Sequence, residues 1–317
     1  MQKFHYMRHR EKEALIDFLV RRFPYHSREE WLDAVSTGAV RINGLRARAE
    51  YVLKNRDIVS YDRPPATEPE VDRNYTIVHA DKDIVVAEKS GNIPVAESGK
   101  YCRNTLINLL KERERYAELF AVHRLDKETS GLIVIARSRH VATQLGRQFA
   151  CRIPKKRYMA VLMGELASKE ILVDRPIKRN TPLPGCVRIR QIVCPTGKPC
   201  QTLFKSLQSS GGLTLVRIEP HTGRTHQIRC HAEYLGYPVL GDKLYGRTDE
   251  QFLAVLQERE KPLFPPFGII DRQLLHAASL EFLHPSSGEW KRFESDCRKE
   301  FLKFETLRNF LSKPLEP

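Results

Sequence analysis

Between Arg63 and Glu70 stand three prolines, Pro64, Pro65 and Pro69, with no apolar periodicity around them. Proline has no backbone N–H to give to a helix interior or a central strand, so this stretch continues neither. It reads as an extended linker, bounded at 63–72, and the chain must build a core on each side of it. A chain of 317 residues is long enough for two, because a single core stops growing efficiently beyond roughly 250–300 residues. The expected organisation is a small domain over 1–62 and a large one over 73–317.

In the small domain, Leu15, Phe18 and Leu19 recur at helical spacing and predict a helix over Glu13 to Arg22. Ser27 followed by Glu30 forms a capping box for a second helix through Trp31, Leu32 and Val35, which Gly38 ends. Val40-Arg41-Ile42, the Asn43-Gly44 turn and a strand over Asp57 to Tyr61 complete the unit. This order, with Gly38-Ala39-Val40-Arg41-Ile42-Asn43-Gly44 after the second helix, resembles the S4-like RNA-binding domain over about fifty residues.

The large segment carries strand-like runs at Tyr75 to His79, Ile84 to Ala87, Gly131 to Arg137, Arg157 to Met163, Leu213 to Ile218 and Leu274 to Phe282. Helical stretches fall at His140 to Phe149, Thr225 to Leu235 and Arg298 to Leu311. Strands outnumber helices, and some neighbours have no helix between them. The expected class is therefore α+β, with a mixed, largely antiparallel central sheet flanked by helices, plus the small N-terminal α/β domain.

The chain holds 53 Lys+Arg against 39 Asp+Glu, a formal charge of +14. Such an excess suits a polyanionic partner, nucleic acid first among them. Residues 1–62 account for twelve Lys+Arg and nine Asp+Glu, so most of the surplus lies downstream. No apolar run approaches the ~20 residues of a membrane span, and Asp17 interrupts the Ala14 to Val20 stretch that a secretory signal would need. A soluble, cytoplasmic protein is expected. Seven scattered cysteines form no Cys-x-x-Cys pair, which disfavours structural zinc and a disulfide framework. The Gly-x-x-x-x-Gly-Lys-Ser/Thr phosphate loop is missing. His221, His226 and His231 stand five apart, off the i, i+4 spacing of ligands on one helix face. No metal site is expected.

Two blocks remain. In His123-Arg124-Leu125-Asp126-Lys127-Glu128-Thr129-Ser130-Gly131-Leu132, an Asp precedes a polar turn that leads into the apolar strand Leu132 to Ala136. A strand at a cleft edge can hold a catalytic carboxylate tightly; an Asp in a turn also serves as a cap or Asx-turn former. The second block runs from Pro220 to His231 and is followed by Gly241-Asp242. Thr225 is positioned to cap a helix whose Ile228, Ala232 and Leu235 face the core. Arg229, one residue round from that stripe, either reaches inward to a carboxylate or lies on a basic surface.

Both blocks resemble those of the RluA family of RNA pseudouridine synthases. The His-Arg-Leu-Asp-x-x-Thr-Ser-Gly signature is carried by His123, Arg124, Leu125, Asp126, Thr129, Ser130 and Gly131, and Gly-Arg-Thr-His-Gln-Ile-Arg by Gly223 to Arg229. Lys156-Arg157-Tyr158-Met159-Ala160 with Gly164 matches the family's Lys-x-Tyr-x-Ala strand. Thr196 to Pro199, Gly241-Asp242 with Tyr245-Gly246, and Leu275-His276-Ala277 follow in family order, so the resemblance spans about 75 to 295.

The resemblance implies isomerisation of uridine to pseudouridine in ribosomal or transfer RNA without a cofactor; a monomer is expected, although the sequence leaves the oligomeric state open. It implies that Asp126 is the catalytic aspartate, that Arg229 pairs with it, and that Arg124 helps displace the target base. Tyr158 would stack on the uracil and take part in proton transfer at C5. His123, Thr129, Arg224, His226 and Gln227 are expected to bind substrate. Chemistry agrees: an Arg partner within ~4–6 Å lowers an Asp pKa by roughly 1–3 units, and a tyrosine offers a flat face with a polar tip. The alternative is a non-catalytic RNA-binding or ribosome-assembly protein on the same fold. A carboxylate-dependent nuclease would need an acidic cluster that the motifs lack.

Overall fold

The computed structural model describes residues 2–6, 13–23, 26–62, 68–99, 101–180 and 189–312. Pro64 and Pro65 of the expected linker lie outside them. The chain divides into two compact units, 1–70 with 98–103, and 71–97 with 104–317. Residues 98–103 thus belong with the first unit, where the Arg103 backbone N–H donates to both carboxylate oxygens of Glu68 at 2.8 and 3.0 Å.

In the first unit, helices Leu15–Arg22 and Arg28–Ser36 accompany a four-stranded antiparallel sheet. Its order is Gln2–His5, Ile58–Tyr61, Val40–Ile42, Leu45–Arg46. The capping box forms as the sequence predicts, with the Glu30 N–H on Ser27 Oγ and the Ser27 N–H on Glu30 Oε2. The first helix begins at Leu15, not Glu13, because Ala14 is extended and bridges Val52. Asn43 and Gly44 both take positive φ (52° and 84°), the requirement of a tight hairpin turn. Strand Gln2–His5 has no counterpart in the sequence reading.

The second unit is built on a ten-stranded sheet. Its path runs Glu170–Asp174, Gln201–Ser210, Leu213–Pro220, Lys155–Met163, Leu275–Leu283, Ser130–Ala136, Ile84–Lys89, Tyr75–Ala80, with Trp290–Glu294 and Phe120–Ala121 pairing off it. The pair Leu275–Leu283 with Ser130–Ala136 is parallel, and the other pairs of the sheet are antiparallel. The mixed, largely antiparallel α+β class is the one expected from the strand pattern. Ser130–Ala136 is buried at every position, as a strand with both faces covered must be, and its continuous apolar run was the signal that revealed it. Helix Arg139–Ala150 packs Val141 and Leu145 against one face, and Leu106–Glu114 packs Leu106, Leu109 and Leu110 against the core on the other side of that strand.

Two further helix expectations need correction. The predicted helix over Arg298 to Leu311 is broken into Arg298–Phe301, a 3-10 turn at Glu305–Leu307 and Arg308–Leu311. Phe304 is extended there, and the break lets Phe301, Leu307 and Leu311 all bury while Leu302 stays 38% exposed. The helix expected from Thr225 begins at Gln227, with His226 rather than Thr225 as its N-cap residue.

The sheet brings distant residues together at one crossing. Ala277 pairs with Tyr158 on one side and with Gly131 on the other. Gly131 has φ +107°, and a Cβ there would stand 2.4 Å from the Ala277 carbonyl oxygen. Only glycine fits this approach. Gly131→Ala should therefore destabilise the protein by about 2–4 kcal/mol, the strain of a positive φ plus overpacking against backbone. Denaturant unfolding measures it, and a midpoint equal to that of the wild type would contradict the close-approach argument.

Candidate active site

Asp126 opens a tight turn closed by the Thr129 N–H on the Asp126 carbonyl at 3.1 Å. Every residue after it in the turn is held. The Lys127 carbonyl accepts from the buried Lys89 Nζ at 3.0 Å and from the Ile93 N–H at 3.0 Å. The Glu128 carboxylate meets Lys243 Nζ at 2.6 Å, and Thr129 Oγ1 accepts from Gln273 Nε2 at 2.6 Å. This fixes the turn on the same cavity as Tyr158, whose strand Lys155–Met163 lies one strand beyond, across Leu275–Leu283.

The Asp126 carboxylate faces a cavity of about 540 Å³ whose walls include Arg124, Asp126, Tyr158, Arg224, His226 and Arg229. Its side chain is 22% exposed. Arg229 donates from one terminal nitrogen to Asp126 Oδ2 at 2.8 Å, and from Nε and the other terminal nitrogen to Asp242 Oδ2 and Oδ1 at 2.6 and 2.8 Å. Asp242 is fully buried and also accepts from the Leu244 and Tyr245 N–H groups at 2.9 and 3.0 Å. Gly241, with φ +82° and no room for a Cβ beneath the Arg272 carbonyl, lets the chain turn tightly enough to deliver it. The Arg229 guanidinium also lies 4.9 Å from the centre of the Tyr245 ring.

Burial works to raise the Asp126 pKa, but Arg229, His226 and Arg124 together hold the carboxyl below its ordinary value. It is ionised at neutral pH. Burial opposes the Arg229 charge too, yet the two carboxylates keep that guanidinium firmly protonated. Tyr158 is pushed well above the usual phenol range by burial and by the Asp126 charge, so it enters the cavity as a neutral hydroxyl.

The expected residues thus converge on one cavity, with different parts. Arg124 is exposed on its rim and makes no hydrogen bond or ion pair among the described residues. Arg224 is half-buried, its Nε without a partner among the described residues. His226 stands with Nε2 3.8 Å from Asp126 Oδ2. Three others serve the wall rather than open space. His123 accepts from the Val134 N–H at 3.1 Å and stacks on Phe149 at 4.4 Å, its pKa driven down to about 3 by burial. The Thr129 hydroxyl is taken by Gln273. Gln227 accepts from Thr222 Oγ1 and the Arg224 N–H and donates to the Gln201 carbonyl and Thr202 Oγ1. Their substrate-binding role was expected from motif position, and motif position does not separate a lining atom from a brace.

The sequence reading gave no role to Asp242, Tyr245, Lys89 or Lys156. Asp242 and Tyr245 stood in quoted motifs, so position flagged them. Lys89 had no signal, since its partners are backbone carbonyls. Lys156 lines the same cavity, its pKa lowered by burial.

Residues 83–234 match the protein family described as RNA pseudouridylate synthase. The chain is 33% identical over 285 residues to ribosomal large subunit pseudouridine synthase C of Vibrio parahaemolyticus, covering 85% of this chain and 84% of that one. It is 30% identical over 242 residues to the mitochondrial tRNA pseudouridine(32) synthase of Saccharomyces cerevisiae, covering 76% of this chain and 52% of that one. The solved structure of human RNA pseudouridylate synthase domain containing 1 shares the fold, with a TM-score of 0.57 and 24% identity over 80% of this chain and 99% of that one.

Removing the shared cation tests the pairing. Arg229→Leu strands Asp242, a fully buried carboxylate, and should destabilise the protein by about 3–5 kcal/mol. The Arg229→Leu/Asp242→Asn double variant should recover a large part of that loss. Denaturant unfolding of both decides it, and a single variant within ~1 kcal/mol of wild type, the range of an exposed pair, would contradict a shared buried cation.

Proposed function

Because the chain belongs to the RNA pseudouridylate synthase family, we propose that Asp126 is the carboxylate with which it isomerises uridine to pseudouridine in structured RNA. The observation that carries this reading is the ionised Asp126, paired with Arg229 at 2.8 Å, in a cavity that also holds Tyr158. The reaction breaks the N1–C1′ bond of uridine, turns the base and rejoins it through C5. It needs a group to act on the nucleoside while the base is detached, a surface to hold that base, and a carrier for the C5 proton. Asp126 supplies the first and the Tyr158 ring the second; the neutral Tyr158 hydroxyl serves the third as a relay, giving its own proton to a carboxylate such as Asp126 as it takes the one from C5.

A uridine stacked in helical RNA must first be flipped out, at a cost of a few kcal/mol. Arg124, exposed on the rim, is a planar cation suited to the vacated stacking position. A second cavity of about 480 Å³ shares Arg152, Pro154, Lys156 and His221 with the first. Arg152, Lys156 and Arg292 on its walls make it the natural path for flanking phosphates, and binding there offsets the flipping cost. We read the first unit as an S4-like RNA-binding module, on its helix-helix-hairpin order and its Asn43-Gly44 turn.

Large-subunit ribosomal RNA is the favoured substrate, since a relative that this chain covers over 84% of its length is named for it. No helix among the described residues is long and apolar enough to cross a membrane, and a cytoplasmic site of action fits an RNA substrate.

Mapping pseudouridine in cellular RNA tests both parts. A strain lacking this gene should lose one or a few sites in large-subunit ribosomal RNA, and the wild-type gene should restore them. Asp126→Asn, nearly isosteric but without the ionised carboxylate, should restore none while the protein accumulates and binds RNA normally. Restoration by Asp126→Asn would overturn the catalytic assignment, and loss confined to transfer RNA would overturn the substrate.

A further inference from the structure

His226 precedes helix Gln227–Tyr234 with its backbone in the left-handed region, φ +55°, and caps nothing with its side chain. A residue other than glycine held there costs free energy that the surrounding structure must meet, and such positions gather at functional sites. This conformation puts the imidazole between Tyr245 and Asp126. Its Nδ1 lies 3.1 Å from the Tyr245 hydroxyl oxygen, and its Nε2 3.8 Å from Asp126 Oδ2.

The Tyr245 end fixes which ring nitrogen carries the proton. That phenol is 1% exposed, and its oxygen already accepts from the Gln191 N–H at 2.8 Å. A buried hydroxyl proton needs an acceptor, and among the described residues His226 Nδ1 is the acceptor within hydrogen-bond reach. Tyr245 therefore donates to Nδ1, and the ring proton sits on Nε2, which faces Asp126. Burial, then the nearby Arg229 charge, bring the imidazole pKa down to about 4. The ring is a neutral donor at physiological pH.

We propose that His226 is a positioning residue for Asp126, its Nε2–H tautomer set by Tyr245 and donated to Oδ2 when RNA occupies the cavity. The proposal rests on Asp126 being the catalytic carboxylate. At 3.8 Å the contact is open, and hydrogen bonds at catalytic sites commonly close only when substrate docks. Arg229 already donates to the same oxygen. Both donors then converge on Oδ2, and Oδ1, which accepts no hydrogen bond among the described residues, is left to face the nucleoside. A neutral second donor also orients the carboxylate without adding another full charge that would weaken it as a base or nucleophile.

Two measurements test this on the full chain. The nitrogen-15 spectrum of histidine-labelled protein, with His226 assigned by its loss in His226→Asn, should show Nε2 protonated and Nδ1 bare. In Tyr245→Phe the two tautomers should mix. In single-turnover assays on saturating RNA, His226→Asn tolerates the backbone but does not reach as far as Nε2. It should be slower by about 10–100-fold, the loss of one hydrogen bond to a charged group, with RNA affinity unchanged. His226→Gln, whose amide does reach, should recover part of the rate. A proton found on Nδ1 in the wild type, a wild-type rate in His226→Asn, or an equal loss in both variants would overturn the proposal. The spectrum reads the tautomer without turnover, so it still reports on His226 if Asp126→Asn proves active and the catalytic assignment itself fails.

Discussion

The Arg229 guanidinium, buried behind the cavity, is shared between two carboxylates, and the rest of the site is arranged around that sharing. Burying an ion costs several kcal/mol even after relaxation. Asp242 meets that cost for the arginine, giving both its oxygens to it in a bidentate pair while two backbone N–H groups satisfy what remains. The last terminal nitrogen is thereby fixed in direction, and it points at Asp126. Asp242 is the structural carboxylate and Asp126 the reactive one. What separates them is exposure, since Asp242 is sealed off while Asp126 keeps a fifth of its side chain open to the cavity.

A fixed cation is useful only if the carboxylate it faces is also fixed. The sheet achieves this through the crossing at Ala277, where Gly131 lets two strands approach closely and so sets Asp126 beside Tyr158. Lys89, Lys243 and Gln273 each then hold one residue of the turn that follows Asp126. All three tethers end on the turn rather than on Asp126 itself, which leaves its carboxylate oxygen Oδ1 free for substrate. Rigidity of the turn and openness of its first residue are compatible for that reason.

The sequence made the larger outlines legible where one physical signal dominated. The apolar run before Ala136 revealed a strand buried on both faces, and Ser27 with Glu30 marked a helix start that the hydrogen bonds bear out. Polar strands escaped notice: Gln201–Ser210, second from the edge of the sheet, and Trp290–Glu294, paired with Leu275–Leu283 alone, show no strong apolar alternation, because only part of one face meets the core. Thr225 looked like a cap on composition, whereas the left-handed backbone at His226 moves the helix start by a residue, and no local propensity records that choice. In the site, motif position assembled Asp126, Tyr158, Arg124 and Arg229 around one cavity. It gave Gln227 and Thr129 the same weight, although their polar atoms are spent inside the wall. Motif position flagged Asp242 as well, but its role follows only from asking what else a buried arginine must touch.

The central claim is that the shared guanidinium keeps Asp126 ionised against its own burial. A carbon-13 titration of the side-chain carboxyl in the RNA-free protein, assigned by its disappearance in Asp126→Asn, measures this directly. The account predicts a midpoint below the ordinary 3.8 of an aspartate. A midpoint at or above that value would mean that desolvation prevails over Arg229, and would contradict the account.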